Sequence, residues 1–260
     1  MSTIEIKKNK KLNLKVPTFT CDGSINDNLN NYDMLQNLNG FKFTILIGKP
    51  GSGKTSLMVA WLTGKGDKKI FREVFDHVVV VMPSSSRASM KKNVFKNHLP
   101  EKLFDELDYH TVTSIENMLS NSSDEKETTL LILDDVGASL KNNEIQKQLR
   151  KIIYNRRHMK VHIIMLLQSY VSIPREIRKL ANNVVMFKPS KVEFEVLFEE
   201  LFETKKDEAL EVMKVAFTKP HDFIFLNVDN QKIFKDYNEL IIKNNNLDNI
   251  YDSESSTSTS

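Results

Sequence analysis

Residues 43–55 read FTILIGKPGSGKT. The first five, Phe43 to Ile47, are an unbroken apolar run, as in a parallel strand covered on both faces. The next eight, Gly48-Lys49-Pro50-Gly51-Ser52-Gly53-Lys54-Thr55, satisfy G-x-x-x-x-G-K-[ST] at every fixed position. A helical pattern then runs from Lys54 to Leu62. Strand, glycine-rich turn and helix in that order make a phosphate cradle. Gly48, Gly51 and Gly53 let the backbone approach an anion without a Cβ in the way. Successive N–H groups point inward, and the helix N-terminus adds its dipole. Lys54 places a point charge among the phosphates, and Thr55 offers a hydroxyl to Mg²⁺. The expected nucleotide contacts are Gly48, Lys49, Pro50, Gly51, Ser52, Gly53, Lys54, Thr55 and Ser56, with ATP and Mg²⁺ as the cofactors.

A second apolar run, Thr129-Leu130-Leu131-Ile132-Leu133, ends in Asp134-Asp135. Parallel strands open on the ligand at their C-terminal ends, which brings these carboxylates towards Thr55. Asp134 is the expected metal ligand. Asp135 faces elsewhere and can orient or deprotonate an attacking water. A third run, Val161 to Leu167, ends in Gln168, a polar side chain able to sense the γ-phosphate or position water.

The remaining chain supports one α/β domain. Strands are also expected at 77–82, 183–187 and 222–228, the last forming a hairpin with 232–234 through Asp229-Asn230. Helices are expected at 113–119, 143–155, 174–181 and 190–202, the last with Phe194, Leu197, Phe198, Leu201 and Phe202 on one face. Alternating strands and helices predict a mostly parallel central sheet flanked by helices, with a C-terminal β-hairpin. The ATPase domain is expected over residues 41–236. Residues 1–40 read as a basic, irregular arm with Lys7, Lys8, Lys10, Lys11 and Lys15. Residues 237–260 read as a polar, Ser/Thr-rich disordered tail.

Composition bounds the function classes. The 260 residues are 40% hydrophobic and 27% charged, ordinary for a globular protein. The net charge of +3 gives no whole-molecule grip on nucleic acid. Cys21 is the only cysteine, which excludes an internal disulfide or a Cys-based zinc site and points to a reducing compartment. No apolar run reaches the roughly 18–20 residues of a membrane span, so no membrane association is expected. His77, His98, His110, His162 and His221 lack metal-ligand spacing and receive no role. Seven of the 37 basic residues are arginines. Arg156 and Arg157 close the 143–155 helix, and Arg178 lies in Pro174-Arg175-Glu176-Ile177-Arg178. Either stretch can compensate a helix dipole or supply a finger to a neighbouring subunit's γ-phosphate.

The order GKPGSGKT, LLILDDV, then NRRHMKVHIIMLLQSYVSIPREIR resembles the DNA-packaging ATPases of poxviruses, other large nucleocytoplasmic DNA viruses and virophages. These are a branch of the FtsK/HerA superfamily of ring-forming P-loop NTPases. The resemblance covers about residues 41–228. It implies an additional strand between the phosphate-loop strand and the Asp-Asp strand, filled by 161–167. It implies ATP hydrolysis coupled to translocation of double-stranded DNA into a preformed capsid, by a homo-oligomeric ring that meets capsid or portal proteins in the virion or the host-cell cytoplasm. By position, Lys54 and Thr55 carry over as phosphate and Mg²⁺ contacts. Asp134 and Asp135 carry over as metal ligand and base, Gln168 as sensor, and Arg157 as the inter-subunit arginine.

Other phosphate-loop classes compete. A nucleoside or nucleotide kinase usually carries an arginine-dense lid, and none is visible here. A GTPase-like switch needs Asn-Lys-x-Asp at a strand end, which is absent. A DNA translocase or helicase outside packaging would share the same motifs, because motifs fix the engine more firmly than its load.

Overall fold

All five residues of β1 (Phe43–Ile47) are buried, because this strand lies at the centre of a nine-stranded sheet. The computed structural model describes residues 23–66, 69–90, 93–203 and 205–241. In chain order, α1 (Lys54–Thr63) follows β1, then come β2 (His77–Val81), α2 (Ser84–Ala88), β3 (Leu103–Phe104), α3 (Tyr109–Asp124) and β4 (Thr129–Asp134). The chain continues through α4 (Asn143–Asn155), β5 (Val161–Leu167), α5 (Arg175–Arg178), β6 (Asn183–Phe187), α6 (Lys191–Phe202) and α7 (Lys206–Ala216). It closes with β7 (Phe223–Asn227), β8 (Lys232–Lys235) and β9 (Asn238–Glu239).

The sheet order is β3-β2-β4-β5-β1-β6-β7-β8-β9. Strands from β3 to β6 are parallel; β7, β8 and β9 add on antiparallel. β5 is hydrogen-bonded to β1 on one side and β4 on the other, so the additional strand implied by the resemblance is present. Its insertion aligns Ile47 with Leu167 and Asp134 with Leu166, bringing the three chemistry-bearing strand ends to one rim.

Side-chain alternation splits the core in two. Phe43, Ile45, Leu131, Leu133, Ile163 and Met165 pack against α3, α4, α6 and α7. Leu46, Leu130, Ile132, Ile164 and Leu166 pack on the other face with Met58 and Trp61 of α1. With both faces covered, the central strands read as continuous apolar runs rather than alternating ones.

The structure corrects several boundaries. The helix expected at 113–119 extends over Tyr109–Asp124, because the Asp108 side chain accepts the Thr111 N–H at 2.6 Å and starts the helix earlier. The helix expected at 174–181 is a single turn. α7 and β3 have no counterpart in the sequence reading.

The largest correction concerns the N-terminal arm. Residues 1–22, with the lysine cluster and Cys21, lie outside the described residues. The stretch read as irregular forms two 3₁₀ turns, Asp27–Asn31 and Leu35–Leu38. Leu29, Met34 and Leu38 are almost wholly buried against Trp61 and Phe71. Its asparagines satisfy backbone: Asn39 Oδ1 accepts the N–H groups of Ile25, Asn26 and Gly40. The packed unit therefore begins well before residue 41, and at the other end it includes β9. The tail from residue 242 lies outside the described residues. Among those that are described, no helix is long and apolar enough to cross a membrane.

Candidate active site

The phosphate loop leaves β1 at Gly48, whose N–H is held by the Leu167 carbonyl of β5 at 3.1 Å. A Cβ at Gly48 would lie 2.4 Å from Ser52 Oγ and 2.9 Å from Phe187 Cβ. Only glycine fits that approach. Gly53 caps α1 at φ +114°, a backbone state that side-chain-bearing residues avoid. The loop thus turns back on itself just where α1 exposes its first N–H groups. Lys54 reaches over the loop, and its Nζ donates to the carbonyls of Gly48 at 2.5 Å and Lys49 at 3.2 Å. Burial lowers its pKa, opposed by the charges of Asp134 and Asp135.

Asp134 is the last residue of β4 and is 7% exposed. Thr55 Oγ1 donates to its Oδ2 at 3.5 Å. Desolvation raises the Asp134 pKa to about 6 despite the attraction of Lys54. Asp135, the next residue, leaves the strand with φ +57°. Aspartate is among the few non-glycine residues that visit this region readily. The turn directs its exposed carboxylate to Gln168, whose Nε2 donates to Oδ1 at 3.3 Å. The two neighbouring carboxylates therefore have different surroundings, one buried beside Thr55 and Lys54, the other in solvent beside an amide.

These groups line a cleft of about 670 Å³ together with Pro50, Gly51 and Ser56. Thr55 and Asp134 offer only hard oxygen donors, which fits Mg²⁺. Among the described residues no cluster of three or more His, Cys, Asp or Glu could hold a metal by itself.

The arginines separate sharply. Arg156 Nε donates to the Phe41 carbonyl and Nη2 to Asn182 Oδ1, so it ties the ends of β1 and β6 together. Arg178 is 9% exposed, makes a two-pronged pair with Glu200 (2.8 and 2.6 Å) and lies 4.9 Å from the Tyr170 ring centroid. Both are built into their own subunit. Arg157 is exposed and lines a hollow with Gly40, Lys42 and Asp229, at the end of the sheet opposite the phosphate loop. The five residues of β1 alone put about 16 Å between those two ends.

Sequence reasoning missed several residues that shape the site. Ser86 and Ser89 of the α2 turn and Met90 line the far wall of the cleft. Glu193 accepts from Ser169 Oγ at 2.7 Å and from the Tyr170 N–H, which fixes the turn after Gln168. His221 donates from Nδ1 to the Ser52 carbonyl at 2.9 Å, reaching the phosphate loop from β7's leading turn. No local pattern marks these positions; each depends on contacts between distant parts of the chain.

The Poxvirus A32 protein family model matches residues 30–255. The chain belongs to this family. Membership agrees with the packaging-ATPase resemblance carried by the motif order, and the match begins within the 3₁₀ segment that packs on the domain. A curated relative, the uncharacterized protein 015R of Frog virus 3 (isolate Goorha), is 26% identical over 172 residues. The match takes in 64% of this chain, and the chain spans about half (49%) of that protein's length. In structure the chain is similar to B204, the DNA-packaging ATPase of Sulfolobus turreted icosahedral virus, with TM-score 0.58 at 16% identity, covering 78% of this chain and 98% of B204. B204 of Sulfolobus turreted icosahedral virus 2, solved in complex with ATP-γS, gives 0.53 at 17% identity, covering 76% and 98%. The cytoplasmic domain of the type VII secretion ATPase EccC of Thermomonospora curvata gives 0.50 at 12%, covering 77% and 24%. At these identities the structural likeness establishes the shared P-loop NTPase fold.

Proposed function

We propose that this chain is an ATP-hydrolysing motor that moves double-stranded DNA into a viral capsid. It works as a homo-oligomeric ring docked on capsid or portal protein, in the virion or the host-cell cytoplasm. The observation that carries the reading is the insertion of β5 between β1 and β4. It gathers the phosphate loop, Asp134, Asp135 and Gln168 around one cleft, in a member of the Poxvirus A32 family.

The residues divide the work. The loop from Gly48 to Ser56 wraps the phosphates with backbone N–H groups, and Lys54 exchanges its two loop carbonyls for β- and γ-phosphate oxygens. Thr55 and Asp134 would hold Mg²⁺, which would supply positive charge to offset that of the phosphates. Asp135 orients a water and takes its proton while the water oxygen bonds to the γ-phosphorus and the bond to ADP breaks. Gln168 fixes Asp135 and registers whether the γ-phosphate is present. Arg157 serves the site of the neighbouring subunit, since its own lies across the sheet. Purified protein is expected to hydrolyse ATP several-fold faster with duplex DNA and to form a ring-sized species with nucleotide. Robust hydrolysis indifferent to DNA by a protein that stays monomeric would overturn this reading.

Asp134 gives the reaction an acid limit. In the metal-free site its pKa is pushed up to about 6, so below that value the carboxyl is protonated and would no longer take a cation. ATP turnover is expected to fall below about pH 6, and saturating Mg²⁺ should move the limb to lower pH because cation and proton compete. A limb unmoved by Mg²⁺ would assign the titration to another group. The sign for stability is opposite. A carboxyl whose folded pKa is raised destabilises the fold once ionised, an effect developing between about pH 4 and pH 6 and complete above it. Asp134→Asn should therefore stabilise the ligand-free protein at pH 8 by up to about 3 kcal/mol in denaturant melts, while removing Mg²⁺-dependent turnover.

A further inference from the structure

A second hollow, of about 490 Å³, lies on the other side of the phosphate loop. The two clefts share Gly51, Lys54, Thr55 and Ser56 but differ in character. The first contains both aspartates and Gln168, which suits the γ-phosphate end of a nucleotide. The second contains no carboxylate and is walled by Phe187, Phe223, Leu57 and His221. A triphosphate running through the shared loop residues delivers its other end to this apolar wall.

The wall is built against the loop. A Cβ on Gly53 would meet the Phe187 ring at 3.1 Å and His221 Nδ1 at 3.6 Å. The rings of Phe187 and Phe223 lie 5.7 Å apart, tilted by 51°, and form a nearly buried floor. His221 stands exposed at the edge, in a left-handed backbone state with φ +66°. Its turn is locked by Asp222, whose Oδ2 accepts from the Thr218 and Lys219 N–H groups at 2.9 and 2.8 Å. The Ser52 carbonyl can only accept, so Nδ1 of His221 carries the ring proton. In the neutral imidazole this leaves Nε2 as an acceptor.

We propose that this hollow seats the nucleobase and that His221 reads it. The acceptor Nε2 matches the 6-amino group of adenine and opposes the 6-oxo group of guanine or hypoxanthine, lone pair against lone pair. His221 thus selects ATP, and through Ser52 it couples the seated base to the phosphate loop. The proposal rests on the reading of the loop as the triphosphate site.

Calorimetric titration of the full-length protein with Mg²⁺ and ATP, ITP or inorganic tripolyphosphate tests it. ITP replaces the 6-amino group of ATP by a 6-oxo group and its unprotonated N1 by N1–H, and tripolyphosphate lacks base and sugar. Wild type is expected to bind ATP about tenfold more tightly than ITP, as befits one hydrogen bond gained against one acceptor left facing another, and ITP more tightly than tripolyphosphate. In His221→Phe the ATP-to-ITP ratio should fall to about one. Leu57→Trp fills the hollow from α1 without touching the His221–Ser52 bond, and should lower ATP affinity to that of tripolyphosphate. Equal wild-type affinities for ATP and ITP, a ratio that survives in His221→Phe, or tight ATP binding by Leu57→Trp would each overturn the assignment. Failure of wild type to bind tripolyphosphate at all would instead overturn the phosphate-site reading beneath it.

Discussion

Asp135→Asn is expected to lower ATP turnover by at least about a hundredfold while leaving ATP bound. The substitution isolates charge from geometry. Asp135 sits at φ +57°, and asparagine tolerates that state as well as aspartate does, so the backbone turn at the end of β4 survives. The asparagine side-chain oxygen can still accept from Gln168 Nε2, which now donates to Asp135 Oδ1 at 3.3 Å. What disappears is the anionic proton acceptor, and losing a general base typically costs 10²–10⁴ in rate. The phosphate loop, Thr55 and Asp134 remain, so the variant should hold unhydrolysed ATP, seen as recovery of intact nucleotide from the isolated complex. Turnover within a few-fold of wild type would remove Asp135 from the mechanism. Asp135→Ala is a poorer probe, because alanine at positive φ adds a backbone penalty of about 1–2 kcal/mol.

The site was legible where it sits on strands buried on both faces. FTILI, TLLIL and VHIIMLL admit few readings, and each runs into a residue of the candidate site: Gly48, Asp134 with Asp135, and Gln168. The parallel sheet converts those ends into one rim, so reading the strands amounted to reading the cleft. The order of the strands was not legible from the residues alone. That β5 lies between β1 and β4 came from the family resemblance, because apolar runs carry no label for their neighbours.

The rest escaped for physical reasons that differ by position. The Asn-rich stretch looked irregular because its amide side chains satisfy backbone over short distances, while Leu29, Met34 and Leu38 sit too far apart for a helical or strand period. β3 is two residues long and has no period at all. α7 buries mostly small side chains, Ala209, Val212 and Ala216, so its apolar face is faint among charges. His221 looked idle because its partner, Ser52, is 169 residues away. Arg156, Arg157 and Arg178 were indistinguishable as letters. Only their places in the fold separate them: Arg156 is half-buried, Arg178 is buried, and Arg157 is exposed at the end of the sheet away from the phosphate loop.

Lys54→Ala should abolish turnover, by about 10³ or more, and the variant can also show where Arg157 acts. Lys54 is half-buried, and the loop carbonyls now hold its ammonium. With nucleotide bound, that ammonium exchanges those carbonyls for phosphate oxygens, where a fixed positive charge stabilises the transition state. Alanine removes it without disturbing the glycines. Arg157→Ala should cost about 10³, as arginine fingers do, although Arg157 lies at the far end of the sheet from its own cleft. If that arginine completes the neighbour's site, the two lesions fall on different subunits of one site. A random equimolar ring of Lys54→Ala and Arg157→Ala chains then has about a quarter of its interfaces intact, Lys54 from one chain meeting Arg157 from the next. Mixing two inactive proteins should restore hydrolysis to that order, varying with the ratio of the two. No recovery at any ratio, with mixed assembly confirmed by mass, would place Arg157 outside the catalytic interface and return it to the structural role its helix end already provides.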